Sequence, residues 1–217
     1  MGNRPARALL AFVAAAFVFH QLPALLPHDA GDAVDLLTPF AVAGTAAWAL
    51  HSLDARGPVV VVAIAAAIAY VDGHGIHLSA NSIANEGPGP EVDDLVYFWD
   101  ERFSHIEAVI GWFGLFACIC WAEGQAAARG ERVDGESKLI AVTASLLAFT
   151  LFTNTVEGHT WPIELAAAAG FVLWLARARE RPLLTATAAG FMVGAAVIAA
   201  YAIWQGGVPE LTDAGLL

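Results

Sequence analysis

Charged residues are scarce in this sequence of 217 residues: only 14% are charged, whereas 58% are hydrophobic. Soluble domains contain about 25% charged and about 45–50% apolar residues, so this composition excludes an ordinary soluble domain. The ten basic residues form no cluster interleaved with aromatic side chains, which argues against a nucleic-acid partner. We therefore expect an integral membrane protein with little mass outside the bilayer.

Cysteine is nearly absent, since Cys118 and Cys120 are the only two. Residues two apart on a helix point to different faces, so these thiols cannot bridge each other, and we expect both to be small core residues. Several catalytic motifs are also missing, namely the G-x-S-x-G nucleophile elbow, the H-E-x-x-H metalloprotease motif and the P-loop. The sequence therefore indicates neither a disulfide framework nor one of these enzyme classes.

Long apolar stretches dominate what is present, and a membrane-spanning helix needs about 20 such residues. The predicted helices cover about residues 8–26, 36–53, 59–83, 94–121, 139–156, 161–177 and 183–204. The basic start before the first stretch is also compatible with a signal peptide, but no clear cleavage site follows, so we expect a retained helix. The expected fold is all-α: a single domain, residues 1–217, with seven transmembrane helices.

The basic residues predict the orientation of these helices, because Lys and Arg concentrate in cytoplasmic loops. With the amino terminus inside and the carboxyl terminus outside, only Arg102 falls on the outer side. The other basic residues fall on the inner side: Arg4, Arg7, Arg56, Arg129, Arg132, Lys138, Arg177, Arg179 and Arg181. We expect a protein of the cell membrane.

Histidines recur at one depth of the predicted bundle. At 1.5 Å per helical residue, His74 and His77 lie roughly 22 and 27 Å from the inner boundary, and His105 and His159 lie about 24 and 27 Å from it. The hydrocarbon core is about 30 Å thick, so all four belong to one layer near the outer surface. Ionisable residues inside a membrane are functional-site candidates by default. We therefore expect these histidines to share a polar site that faces the extracytoplasmic side.

The side chains of this layer are those that bind metal ions, since imidazoles and carboxylates are ligands for zinc and for non-haem iron. His74 and His77 share a helix face, as do Glu101 and His105. We predict a divalent metal, zinc first and iron as the alternative, with ligands drawn from His74, His77, His105, His159 and Asp72. Catalytic or supporting roles are predicted for Asp100, Glu101, Glu157 and Ser104, with Asn81 as a further hydrogen-bond donor.

Other interpretations of the same residues remain open. Histidines and acids at the outer helix ends can simply be solvated caps at the level of the lipid headgroups. Glu164 illustrates this, because an acid in the first turn of a helix is stabilised by the helix dipole.

Three functions are compatible with a metal site at this depth. The first is a metal-dependent hydrolase that takes a lipid ester or amide from the outer leaflet. The second is a transporter of metal ions or small solutes, or a sensor; the apolar inner half favours the enzyme over a transporter. The third is a di-iron oxidoreductase, which the surplus of carboxylates favours. Membrane lipid is the expected partner, and the sequence does not indicate an oligomeric state.

A seven-helix bundle with an outer His/Asp site resembles, at the level of fold, the membrane hydrolases that include alkaline ceramidases and adiponectin-receptor-like proteins. Two motifs of those hydrolases, H-x-x-x-H on the last helix and S-x-x-x-H on an early one, are missing here. The resemblance is therefore one of architecture, and it implies hydrolysis by analogy alone.

Overall fold

The computed structural model describes residues 2–87, 89–178, 181–211 and 213–216. Within these ranges the chain is helical and has no strand, which confirms the all-α prediction. A 3-10 turn spans Pro23–Leu25, and a π-helical segment spans Phe98–Ser104. The α-helices are α1 (Arg4–Gln21), α2 (His28–Asp35), α3 (Thr38–Ser52), α4 (Pro58–Asn85), α5 (Pro90–Tyr97), α6 (His105–Ala128), α7 (Ser137–Glu157), α8 (Trp161–Arg177) and α9 (Pro182–Gln205).

Five helical stretches of the described residues are long and apolar enough to cross a membrane. They are Ala30–Ser52, Pro58–Asn85, Val92–Ala128, Ser137–Glu157 and Pro182–Gln205. Their outer faces and that of α8 carry large exposed apolar side chains, such as Ile68, Leu173 and Ile203. Hydrocarbon accepts such a surface, whereas water does not, so the helices are those expected of a membrane protein.

The amino-terminal third differs from the sequence-based prediction. The first helix ends at Gln21 because Pro23 has no N–H and its ring clashes with the preceding turn. Residues 27–35, which lie between the first two predicted helices, contain α2, whose last residue is Asp35. The fourth predicted helix runs from Pro90 through the π-helical segment to Ala128. Arg179, which the sequence assigns to an inner loop, lies outside the described residues.

Two glycines allow α4 and α6 to pack with their backbones in close contact. A Cβ added at Gly73 would lie 2.6 Å from the backbone nitrogen of Ala108, and one added at Gly111 would lie 2.3 Å from that of Tyr70. Small residues at helix interfaces are the usual means of close packing in membranes. The contact matters for function because it fixes the side chains of α4 directly against those of α6.

Aromatic rings fill the bundle beneath the polar layer. Phe12, Phe116 and Phe191 are fully buried, and the rings of Phe12 and Phe116 lie 4.7 Å apart between centroids. Cys118 and Cys120 are buried and free, as predicted.

Candidate metal centre

A cavity of about 340 Å³ lies between α1, α4, α6 and α7. Four histidines line it, namely His20, His74, His77 and His105, and the carboxylates of Asp35, Glu101, Glu157 and Glu210 line it as well. The opposite wall is formed by Gln21, Thr153 and Asn154, and its amide and hydroxyl groups bond to one another. Three of the four histidines predicted to share one layer, His74, His77 and His105, therefore line one cavity, together with His20.

Two of these histidines form, with Asp100 of the π-helical segment, a compact group that could hold a metal ion. His77, Asp100 and His105 each offer a ligand atom, and these atoms all lie within 4.8 Å of one another. The ring centroids of His77 and His105 are 4.9 Å apart. With Zn–N bonds of about 2.0–2.1 Å, two imidazoles on one tetrahedral ion have their centres roughly 5 Å apart. The separation of the two rings is therefore compatible with two ligands of one zinc ion.

The π-helical segment brings Asp100 into this group. Its wider turn changes the direction in which side chains leave the helix, and such turns often occur at functional sites. Asp100 is buried and accepts a hydrogen bond of 2.5 Å from Nδ1 of His77. Ser104 is also buried, but its hydroxyl donates to the backbone carbonyl of Asp100. The predicted catalytic role of Ser104 therefore gains no support from its position, because the hydroxyl is already engaged within its own helix.

His105 is oriented by two neighbours. Its Nδ1 donates to the carbonyl of Glu101 across 3.3 Å and lies 3.5 Å from the carboxylate Oε2 of the same residue. A Cβ added at Gly158 would lie 3.0 Å from Cγ of the His105 ring, so the ring packs directly on the α7–α8 connection. A metal-binding imidazole usually donates its other N–H to a carboxylate or carbonyl. His105 has this arrangement, which leaves its Nε2 available to an ion.

His74 lines the cavity but bonds to a different partner. Its Nε2 donates to the backbone carbonyl of Asp35 across 3.0 Å and lies 3.2 Å from the Asp35 carboxylate. Thr38 Oγ1 donates to the same carboxylate across 2.9 Å and so fixes its position. The rings of His74 and His77 are 6.2 Å apart. The structure therefore pairs His74 with Asp35 and leaves it outside the compact group, although the sequence predicts it as a ligand.

Asp72 and His159, two other predicted ligands, also lie elsewhere. Residues two apart on a helix point about 200° apart, so Asp72 is exposed on the face of α4 opposite His74. His159 follows α7 in a left-handed conformation, with φ of 51°, and its Nε2 bonds to Oε1 of Glu210 at 2.8 Å. The structure therefore does not bring either residue to His77, Asp100 and His105.

The tail segment, residues 206–211, closes one side of the cavity. Tyr201 Oη donates to the carbonyl of Pro209 across 3.0 Å, and the side chain of Leu211 is buried against α7 and α9. These contacts hold Glu210 between His159 and the cavity. Sequence reasoning missed Glu210 because an acidic residue near a chain end carries no pattern that distinguishes it.

His20 and Asp35 were also missed as site residues. Counting 1.5 Å per residue from Arg7 puts His20 about 20 Å from the inner boundary, in the same layer, and this count was sufficient to include it. Asp35 had no such signal, because nothing in its local sequence indicates that α2 folds back beside His74.

Glu164 lies outside the cavity in the first turn of α8. It is completely buried, and its Oε2 accepts a hydrogen bond of 2.6 Å from Thr155 Oγ1. It is therefore not the solvated cap that the simpler interpretation suggests.

No family model matches this chain, and comparison with curated proteins and with solved structures gives no match either. Its function is therefore argued from the geometry of the cavity.

Proposed function

We propose that this protein is a metal-dependent membrane enzyme whose divalent ion, zinc in the first instance, binds to His77, His105 and Asp100. The observation that carries the proposal is the compactness of this group, in which one ligand atom from each residue lies within 4.8 Å of the others. Two imidazoles and one carboxylate are a common ligand set for zinc and for non-haem iron. Each of these three residues lies in an apolar helical stretch. Ionisable side chains are costly in such stretches, so their presence there indicates a function.

The proposed topology has seven membrane spans. Besides the five long stretches, α1 and α8 have 18 and 17 residues, which falls within the range of about 17–25 that can cross a bilayer. The distribution of Lys and Arg supports an amino terminus in the cytoplasm. In this orientation the cavity opens on the extracytoplasmic side of the cell membrane.

Hydrolysis is the reaction that these residues support best. Three protein ligands leave a coordination position open, and an ion so held lowers the pKa of a bound water to about 7. Glu157 lines the same cavity from the end of α7 and is the candidate to accept a proton from that water. Glu101 orients His105 through the Nδ1 contact and is a supporting residue.

The proposed substrate is a lipid ester or amide that enters from the outer leaflet. A cavity of about 340 Å³ has room for a headgroup or a short acyl segment and is too small for a whole lipid. Transport is less compatible with the bundle, because buried rings such as Phe12, Phe116 and Phe191 fill the space beneath the cavity. The di-iron oxidoreductase remains the alternative that metal identity will test.

Elemental analysis of purified protein tests the proposal. We expect about one zinc ion per chain, lost in His77→Ala and in His105→Ala. His51→Ala is the matched control because His51 is exposed at the end of α3, away from the cavity, and it should keep the ion. His74→Ala should keep it too, since His74 bonds to Asp35. If both ligand variants keep the metal content of the wild type, the proposed metal site is wrong. Two iron ions per chain would contradict the hydrolase and support the oxidoreductase.

A further inference from the structure

The floor of the cavity contains a hydrogen-bond donor that has no partner. Trp112 lines the cavity from α6 and is 2% exposed, and its indole Nε1–H makes no hydrogen bond in the protein. Buried polar groups almost always have partners, so an unpaired indole N–H beside a cavity points to a ligand or water that accepts from it. An indole nitrogen can only donate, so the missing partner must be an acceptor.

A second donor lies close by. Tyr70 is also buried on the cavity floor, and its hydroxyl has a long contact of 3.4 Å with Nε2 of His20. The other nitrogen of His20 donates to the carbonyl of Ala16 across 2.7 Å, so Nε2 of the neutral ring is an acceptor and Tyr70 is the donor. At 3.4 Å this bond is weak, which leaves the hydroxyl free to turn to a better acceptor. The rings of His20 and Trp112 are 6.0 Å apart, so both donors belong to one chamber.

The charges around the cavity select among acceptors. Four carboxylates line it, from Asp35, Glu101, Glu157 and Glu210, and none of the described lining residues is a lysine or an arginine. A phosphate or carboxylate would meet like charge on the cavity floor, with no lysine or arginine beside it. A neutral carbonyl oxygen meets only the two donors, and Val109 and Ala108 offer apolar contact beside it.

We propose that the cavity floor binds the carbonyl oxygen of an uncharged amide or ester, with Trp112 Nε1–H and Tyr70 Oη–H as the two donors. The inference deepens the proposed function by naming the residues that bind the carbonyl group of the substrate, and it rests on that function only for the reaction that follows binding. Two donors on one carbonyl orient the acyl group and draw electron density toward its oxygen. Trp112 and Tyr70 are then substrate-binding residues that no sequence motif indicates.

The test uses the full-length protein in detergent and two small probes of equal size, N-butylacetamide and hexanoate. Calorimetry on a portion treated with a chelator, in which no metal can bind the anion, should detect binding of the neutral amide and none of hexanoate. With ¹⁵N-labelled tryptophan, the indole resonance missing from W112F should move downfield as the amide is added. W112F and Y70F should each bind the amide about 2- to 10-fold more weakly, which is the contribution of one hydrogen bond. W121F is the control, because Trp121 lies at the other end of α6, outside the cavity.

Equal amide affinity in the wild type, W112F and Y70F would overturn the inference, as would hexanoate binding as tightly as the amide in the chelator-treated portion or no amide binding at all. Y70F keeps the test decisive if W112F does not fold. Metal content measured on the same samples separates the two proposals. Amide binding that depends on Trp112, in protein purified without zinc, would support this inference and contradict the proposal of a metal enzyme. Bound zinc without amide binding would support the metal enzyme and contradict this inference.

Discussion

His77 and Asp100 are joined by a hydrogen bond of 2.5 Å between Nδ1 and Oδ1, although 23 residues separate them along the chain. The bond links α4 to the π-helical segment that precedes α6. It holds the His77 ring in one orientation, because the carboxylate is buried and cannot turn away to solvent.

Asp100→Asn keeps the size of the side chain and removes its charge. Loss of a ligand or of a carboxylate that orients a ligand typically weakens metal binding 10- to 100-fold, and we expect a decrease of about that size. Competition with a chromophoric zinc chelator measures it. Asp93→Asn, at an exposed position of α5, should leave zinc affinity unchanged. Equal affinities in the two variants would contradict the role of Asp100.

Zinc binding should depend steeply on pH. An imidazole binds metal only when neutral, so protons compete with zinc for His77 and His105 as the pH falls. We expect zinc affinity to decrease with falling pH, by up to about 100-fold per pH unit where both histidines must lose a proton. A zinc titration at several pH values measures the slope, and an affinity that stays constant from neutral pH down to pH 4 would exclude histidine ligands.

Gly73→Ala tests whether close helix packing supports the site. The new methyl group would meet backbone atoms of Ala108 and Ser104 at 2.6 and 2.7 Å, so α4 and α6 must separate. Overpacking of this kind costs about 1–3 kcal/mol, and we expect a lower unfolding temperature together with weaker zinc binding.

Gly75→Ala is the matched control for this change. It lies on the same helix, and a Cβ added there meets no atom within 4 Å. Thermal unfolding and zinc affinity of this variant should equal those of the wild type. If both glycine variants behave alike, packing between α4 and α6 does not determine the site.

Glu123 makes a testable contribution to stability far from the cavity. Its buried carboxylate accepts hydrogen bonds from the backbone nitrogens of Leu183 and Leu184, at 2.8 and 3.0 Å, and so caps the amino end of α9. Glu123→Ala leaves two buried N–H groups unpaired, at a cost of about 1–3 kcal/mol each, so the unfolding temperature should decrease. Glu123→Gln retains one acceptor and should lie between Ala and the wild type.

Glu131→Ala is the corresponding surface control. Glu131 pairs with Arg129 at the surface, where ion pairs contribute little, so its removal should leave the unfolding temperature unchanged. A decrease equal to that of Glu123→Ala would show that the loss of any acid in this region, and not of the cap, lowers stability.

Helix depth was the property of the site that the sequence could predict. Counting 1.5 Å per residue brings His74, His77 and His105 to one layer, and the same count includes His20. The positions of the residues around each helix axis were harder to predict. Helical periodicity alone excludes Asp72 from a face shared with His74, because residues two apart point in nearly opposite directions.

The rest of the site depends on irregular backbone. The residues between Asp100 and His105 are compatible with a regular α-helix, and nothing in their sequence indicates that this turn is π-helical. The contact between Asp100 and His77 could therefore not be derived from residue spacing. His159 adopts a positive φ that only the finished α7–α8 connection imposes. Asp35 and Glu210 reach the cavity through segments that interrupt or follow the long helices, where sequence periodicity carries no information.

Glu210 contacts His159 from 51 positions further along the chain. Polypeptides are made from the amino end, so the ribosome releases the histidine-bearing helices well before it completes the tail segment. Until residues 206–211 have folded against α7 and α9, Glu210 does not line the cavity. We therefore expect an ion to enter most rapidly during biosynthesis and to exchange slowly once this segment is in place.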